Sequence, residues 1–144
     1  MNKKLASNLN LTNIDMLDYR IAANYLETAG DLIAELVTYL SKFKWDSQIS
    51  TLIKKIGYSL EEMQYYAIEA FISTSRDKAF KVIENYEDFK HNIAELKKNI
   101  ASNQNENVDE TYSITLVSSI SCLDNISKCW IDITDLAKPT YTLK

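Results

Sequence analysis

Glu27 and Asp31 stand four residues apart, so on a helix both carboxylates project from one face. Asn24 falls on that face one turn earlier. Carboxylates on neighbouring turns offer oxygen ligands to a hard or borderline cation, such as a divalent or iron-type metal ion. The plainer reading is a solvated acidic pair, a common feature of helix surfaces. Other chemistry is scarce. His91 is the single histidine, beside Glu87 and Asp88 on a charged stretch, so any Ser-His-Asp catalysis depends on one side chain. Cys122 and Cys129 are seven apart. On a helix that is roughly 10 Å, too far for a disulfide. Two thiols are also too few for a zinc site. They read as small apolar fillers in a reducing, intracellular setting. No nucleophile has a base positioned beside it, and we expect no enzyme.

Composition narrows the class. Sixteen basic and twenty acidic residues leave a formal charge of −4, which argues against direct nucleic-acid binding. Nine tyrosines are present, but not interleaved with basic residues as a stacking platform would be. Gly and Pro together number three, 2 and 1, where average usage would give roughly 17 in a chain of this length. Sheets joined by tight turns need those residues, so an all-β fold is close to excluded, and no glycine-rich loop could cradle a phosphate. The apolar runs fall far short of the roughly 20 residues of a membrane span, so we expect no membrane insertion. Met1-Asn2-Lys3-Lys4 leads into polar residues and not into a signal-peptide core, which points to the cytoplasm.

The elements that must hold these groups are helices. Apolar residues recur at helical spacing over four segments, about 12–42, 46–73, 75–101 and 109–137. The first stripe holds Ile14, Leu17, Ile21, Leu26, Leu32, Ile33, Leu36 and Leu40. It starts at a Thr12–Asp15 capping box and ends near Lys42 and Lys44. The second starts at Asp46 and carries Ile49, Ile56, Leu60, Met63 and Ala67. Thr74 with Asp77 repeats the cap signal ahead of a third stripe with Val82, Ile83, Phe89, Ile93 and Leu96. The polar run Ser102–Asn107 is a loop. The last stripe has Ile114, Val117, Ile120, Leu123, Ile126, Trp130 and Ile133, and Pro139 ends it. We expect one all-α domain, an antiparallel bundle of four long helices.

The first and last helices match. Tyr25–Leu36 can be laid over Cys122–Ile133: Leu26 on Leu123, Glu27 on Asp124, Gly30 on Ser127, Glu35 on Asp132. Lys128 stands opposite Asp31. It is expected to pair with Asp124 at i, i+4, a fixed ammonium where the first copy has a carboxylate.

On these residues the chain resembles the PhoU family of helical regulators of phosphate uptake. The family carries a run of the form Arg-x-x-Ala-x-x-Leu-Glu-Arg-Ile-Gly-Asp on the third helix of each three-helix repeat. Here it reads Arg20-Ile21-Ala22-Ala23-Asn24-Tyr25-Leu26-Glu27-Thr28-Ala29-Gly30-Asp31. Ile56-Gly57-Tyr58-Ser59-Leu60-Glu61-Glu62-Met63, Ala67-Ile68-Glu69-Ala70 and the stretch from Asp77 to Glu84 resemble the first two helices of a repeat. The resemblance covers about residues 11–137. It implies one helix of a first repeat followed by a complete second repeat, as in a shortened or archaeal-type member or a piece of a longer protein. It implies regulation of phosphate homeostasis through protein partners, namely the phosphate transporter or its signalling components. It also implies a metal site at Glu27 and Asp31. Tyr86 and Lys90 stand where acidic or amide residues are expected in the second repeat, which leaves that site dismantled. Apolar surface left by the missing helices predicts a homodimer. The alternatives are a metal-binding helical protein and a plain interaction or dimerisation bundle.

Overall fold

A computed structural model of the chain describes residues 12–102 and 109–137. These form four helices: α1 (Asn13–Leu40), α2 (Ser47–Ser73), α3 (Arg76–Ser102) and α4 (Glu110–Leu136). The boundaries lie within two residues of those predicted from periodicity, and no strand occurs among the described residues. Parts of the expected Ser102–Asn107 loop, Pro139 and the N-terminal residues lie outside the described residues. No helix is long and apolar enough to cross a membrane among the described residues.

Capping explains where each helix begins. The Thr12 hydroxyl accepts from the Asp15 amide at 3.1 Å, and the Asp15 carboxylate accepts from the Thr12 amide at 2.9 Å. That reciprocal box satisfies donors the first turn would otherwise leave open. Asp46 caps α2 by accepting from the Ile49 amide at 2.8 Å. The α2–α3 junction differs from expectation. Thr74 is not the N-cap of α3; it closes α2 in the left-handed region, with φ of 49°. Ser75 takes the capping role, its hydroxyl accepting from the Lys78 amide at 3.3 Å. The break is too tight for both functions to fall on one residue.

Packing is uneven. α2 and α3 form the closest pair, α1 packs along α4, and α4 also packs on α2 and, less, on α3. The last helix is therefore the central one, with twelve buried residues against six on α2 and four on α3. The core joins Ile56, Met63, Val82, Phe89, Leu116 and Ile126. Cutting a side chain such as Phe89 to Ala would cost about 3–5 kcal/mol, because close-packed neighbours collapse only in part. Four buried residues of α4 are hydroxyl-bearing: Thr115, Ser119, Ser127 and Thr134. Each donates to a carbonyl of its own helix, at 2.6–2.8 Å, so none is left unsatisfied. Small satisfied side chains let neighbouring helices approach α4 closely.

α1 departs most from its predicted stripe. Among its described residues Ala22 and Ala29 are buried, with Tyr25, Leu32 and Leu36 half-buried against the core. Ile14, Leu17, Leu26 and Ile33, expected inside, are exposed. The reason is that α1 has one extensive neighbour, α4, where the expected bundle would supply two. Ile83, Ile114 and Val117 also lie outside the core.

Candidate functional site

Glu27, Asp31 and Asn24 are all exposed on α1. Their face points away from the small residues Ala22 and Ala29 that seat the helix. Among the described residues no group of three His, Cys, Asp or Glu side chains converges as metal ligands. Further along α1, Glu35 accepts from the Tyr39 hydroxyl at 2.7 Å. That hydrogen bond, and the charge behind it, raises the Tyr39 pKa.

The second copy of the motif differs from its predicted form. Lys128 is exposed and makes no ion pair with Asp124. A surface pair at this spacing is weak enough for solvent to separate it. Lys90 pairs with Glu87 at 2.7 Å and lies 4.8 Å from the centre of the Tyr86 ring. The hydrogen bond to Glu87 raises its pKa, which keeps it cationic. Cys122 and Cys129 are free and buried, and burial pushes both thiols up, helped by Glu35 and Asp132 respectively. A thiol held protonated is a poor nucleophile. His91 is exposed, as its charged surroundings suggested.

Two surfaces stand out instead. One is an open, mainly apolar groove of about 300 Å³ between α1 and α2, floored by α4. Ile33 and Leu36 form one wall, Ile53 and Leu60 the other, and Leu123 and Trp130 the floor. Nearer the start of α1, Tyr19 meets Phe71 of α2, their rings edge to face at 5.0 Å. Beneath the groove the Trp130 indole N–H is buried with no acceptor among the described residues. The groove exists because α1 and α2 both lean on α4 and hardly on each other.

The other surface is a shallow concavity on α2 formed by Tyr58, Glu61, Glu62, Tyr65 and Tyr66. It continues onto α3 past Lys81, Glu84 and Asp88. Lys78 lies 5.3 Å from the Tyr66 ring centre and 5.9 Å from that of Tyr65, so a cation already uses this aromatic pair.

Comparison with known protein families, with curated proteins and with solved structures finds no match. The groove and the tyrosine face present apolar area, ring faces and charge. Spacing along a single helix does not reveal the groove, because its walls come from separate helices. One signal was available, a second apolar seam on α1 beside the one that faces α4.

Proposed function

We propose that this chain is a PhoU-like regulatory module of phosphate uptake or phosphate signalling that acts in the cytoplasm through protein–protein contacts. The observation that carries the reading is the pairing of α1 with α4. Phe43 and Trp45, just past the end of α1, meet Tyr112 at the start of α4 with ring centres 5.3 and 5.1 Å apart, so the two helices run antiparallel. The segments that match in sequence, Tyr25–Leu36 and Cys122–Ile133, thus belong to one seam, as two copies related by a pseudo-two-fold axis would. A regulator of this kind needs docking surfaces and no catalysis.

The test is cellular. Deleting the gene should change phosphate uptake or the transcriptional response to phosphate limitation, and the tagged chain should co-purify with components of the phosphate transporter or its signalling kinase. An unchanged phosphate response, with no such component retained, would remove this reading.

A plain interaction module is the second reading, favoured by the exposed apolar residues of α1. Self-association is its simplest form, and sedimentation over a range of concentrations reads it directly.

A further inference from the structure

The internal match sharpens the question of what α1 lacks. On α4, the face formed by Leu116, Ile120, Leu123, Ser127, Trp130 and Thr134 is buried. The same register on α1 gives Tyr19, Ala23, Leu26, Gly30, Ile33 and Val37. These positions alternate by four and three residues, the spacing of a helix-packing seam. Their exposure is opposite to that of their counterparts. Leu26 is 41% exposed and Leu123 2%; Ile33 is 42% and Trp130 2%; Val37 is 59% and Thr134 7%. α4 packs on α1, α2 and α3, whereas α1 packs extensively on α4 alone, with Tyr19 resting on Phe71 of α2. The α1 seam runs into the groove through Ile33, so seam and groove form one continuous apolar track.

We propose that this track docks an amphipathic helix with basic flanks, supplied by a partner protein. This names the kind of partner for the module described above. Shape sets the helical form: a pseudo-symmetric helix on α1 would take the place that α2 takes on α4. Gly30 lies in the middle of the seam, and a Cβ built there meets nothing within 4 Å, so the surface dips where an incoming side chain would sit.

Charge sets the flanks. Glu27 borders the seam on one side, and Glu61 lines the groove on the other. A helix lying between them meets carboxylates on both sides. A second copy presenting the same seam would set like charge against like, so α1-to-α1 pairing is disfavoured.

The experiment titrates the intact chain with a synthetic amphipathic helix of about four heptads, Leu along one stripe and Lys beside it. A twin peptide carries Glu in place of Lys. The chain should bind the basic peptide, with the acidic twin at least ~10-fold weaker. Leu26→Glu/Ile33→Glu should weaken binding by at least ~10-fold while helicity and Tm are retained. Gly30→Gln is the second variant. Its added side chain has open space within its own fold and fills the dip, so it too should weaken binding. Absence of binding, equal binding of both peptides, or binding unchanged in both variants would overturn the proposal. So would a parent chain that sediments as a dimer and is dissociated by the same variants. No phosphate-system component enters the titration, so its failure is distinct from failure of the phosphate reading.

Discussion

The indole N–H of Trp45 donates to the carbonyl oxygen of Leu40 at 2.7 Å. Leu40 is the last residue of α1, where carbonyls have no partner within the helix. One side chain thus closes α1 and anchors the turn into α2. The same ring lies 5.7 Å from Phe43 and 5.1 Å from Tyr112, which ties that turn to the start of α4.

Trp45→Phe keeps an aromatic ring in this cluster and removes the donor. We expect a loss of about 1 kcal/mol, the usual net worth of one such hydrogen bond. Urea unfolding should show a lower midpoint at unchanged slope. Hydrogen exchange should quicken in the last turn of α1 before it quickens in α3.

Thr74 is the one non-glycine residue with positive φ among the described residues. A β-branched side chain there costs roughly 1–2 kcal/mol, and glycine relieves it at some cost in unfolded-chain entropy. Thr74→Gly should therefore stabilise by a net ~0.5–1 kcal/mol, seen as a Tm about 2–3 °C higher. Thr74→Ala retains a Cβ and should gain less. A destabilised Gly variant would mean that the left-handed cap does not persist in solution.

The buried thiols give the protein an alkaline weakness. Burial raises the pKa of Cys122 and of Cys129 in the folded chain. Between the ordinary thiol value, about 8.5, and the raised folded values, the unfolded chain releases protons that the folded chain keeps. Stability is therefore fully present below the ordinary thiol range and is lost as pH rises through the folded values. Tyr112, raised by burial and by Asp46, extends the loss to higher pH. Urea midpoints measured from pH 7 to 10 should fall, and Cys122→Ala/Cys129→Ala should flatten the first part of that fall. Parallel curves for parent and variant would refute the assignment.

Glu27 and Asp31 supply two exposed carboxylates, whereas a structural zinc site takes four ligands. Elemental analysis after gel filtration should find less than one metal per chain. Glu27→Gln/Asp31→Asn should leave that content unchanged. A stoichiometric iron, zinc or manganese content abolished by the double variant would establish the metal-binding alternative.

Helix positions were readable from sequence because spacing and caps are local properties. Thr12 with Asp15, and Asp46 with the apolar run after it, mark the starts of α1 and α2 within a residue. The partition of residues between core and surface was less readable. Periodicity shows that Leu26 and Ile33 lie towards one side of α1, but not whether any helix occupies that side. Thr115, Ser119, Ser127 and Thr134 are missing from the predicted stripe of α4, because their polarity conceals hydroxyls turned back onto their own helix. Glu27 and Asp31 were correctly read as sharing a face. What else shares the space beyond that face is a tertiary property, and no spacing rule along one helix contains it.

The central position of α4 also sets an order in time. A ribosome makes this helix after the three that pack on it. The α2–α3 hairpin joins neighbours in sequence, so it can close as soon as both strokes have left the exit tunnel. α1 has no such neighbour. It emerges first and must wait, with its apolar side chains uncovered, until the far end of the domain is translated. A chaperone that holds nascent α1 through that interval would shield the same residues that the finished fold leaves open.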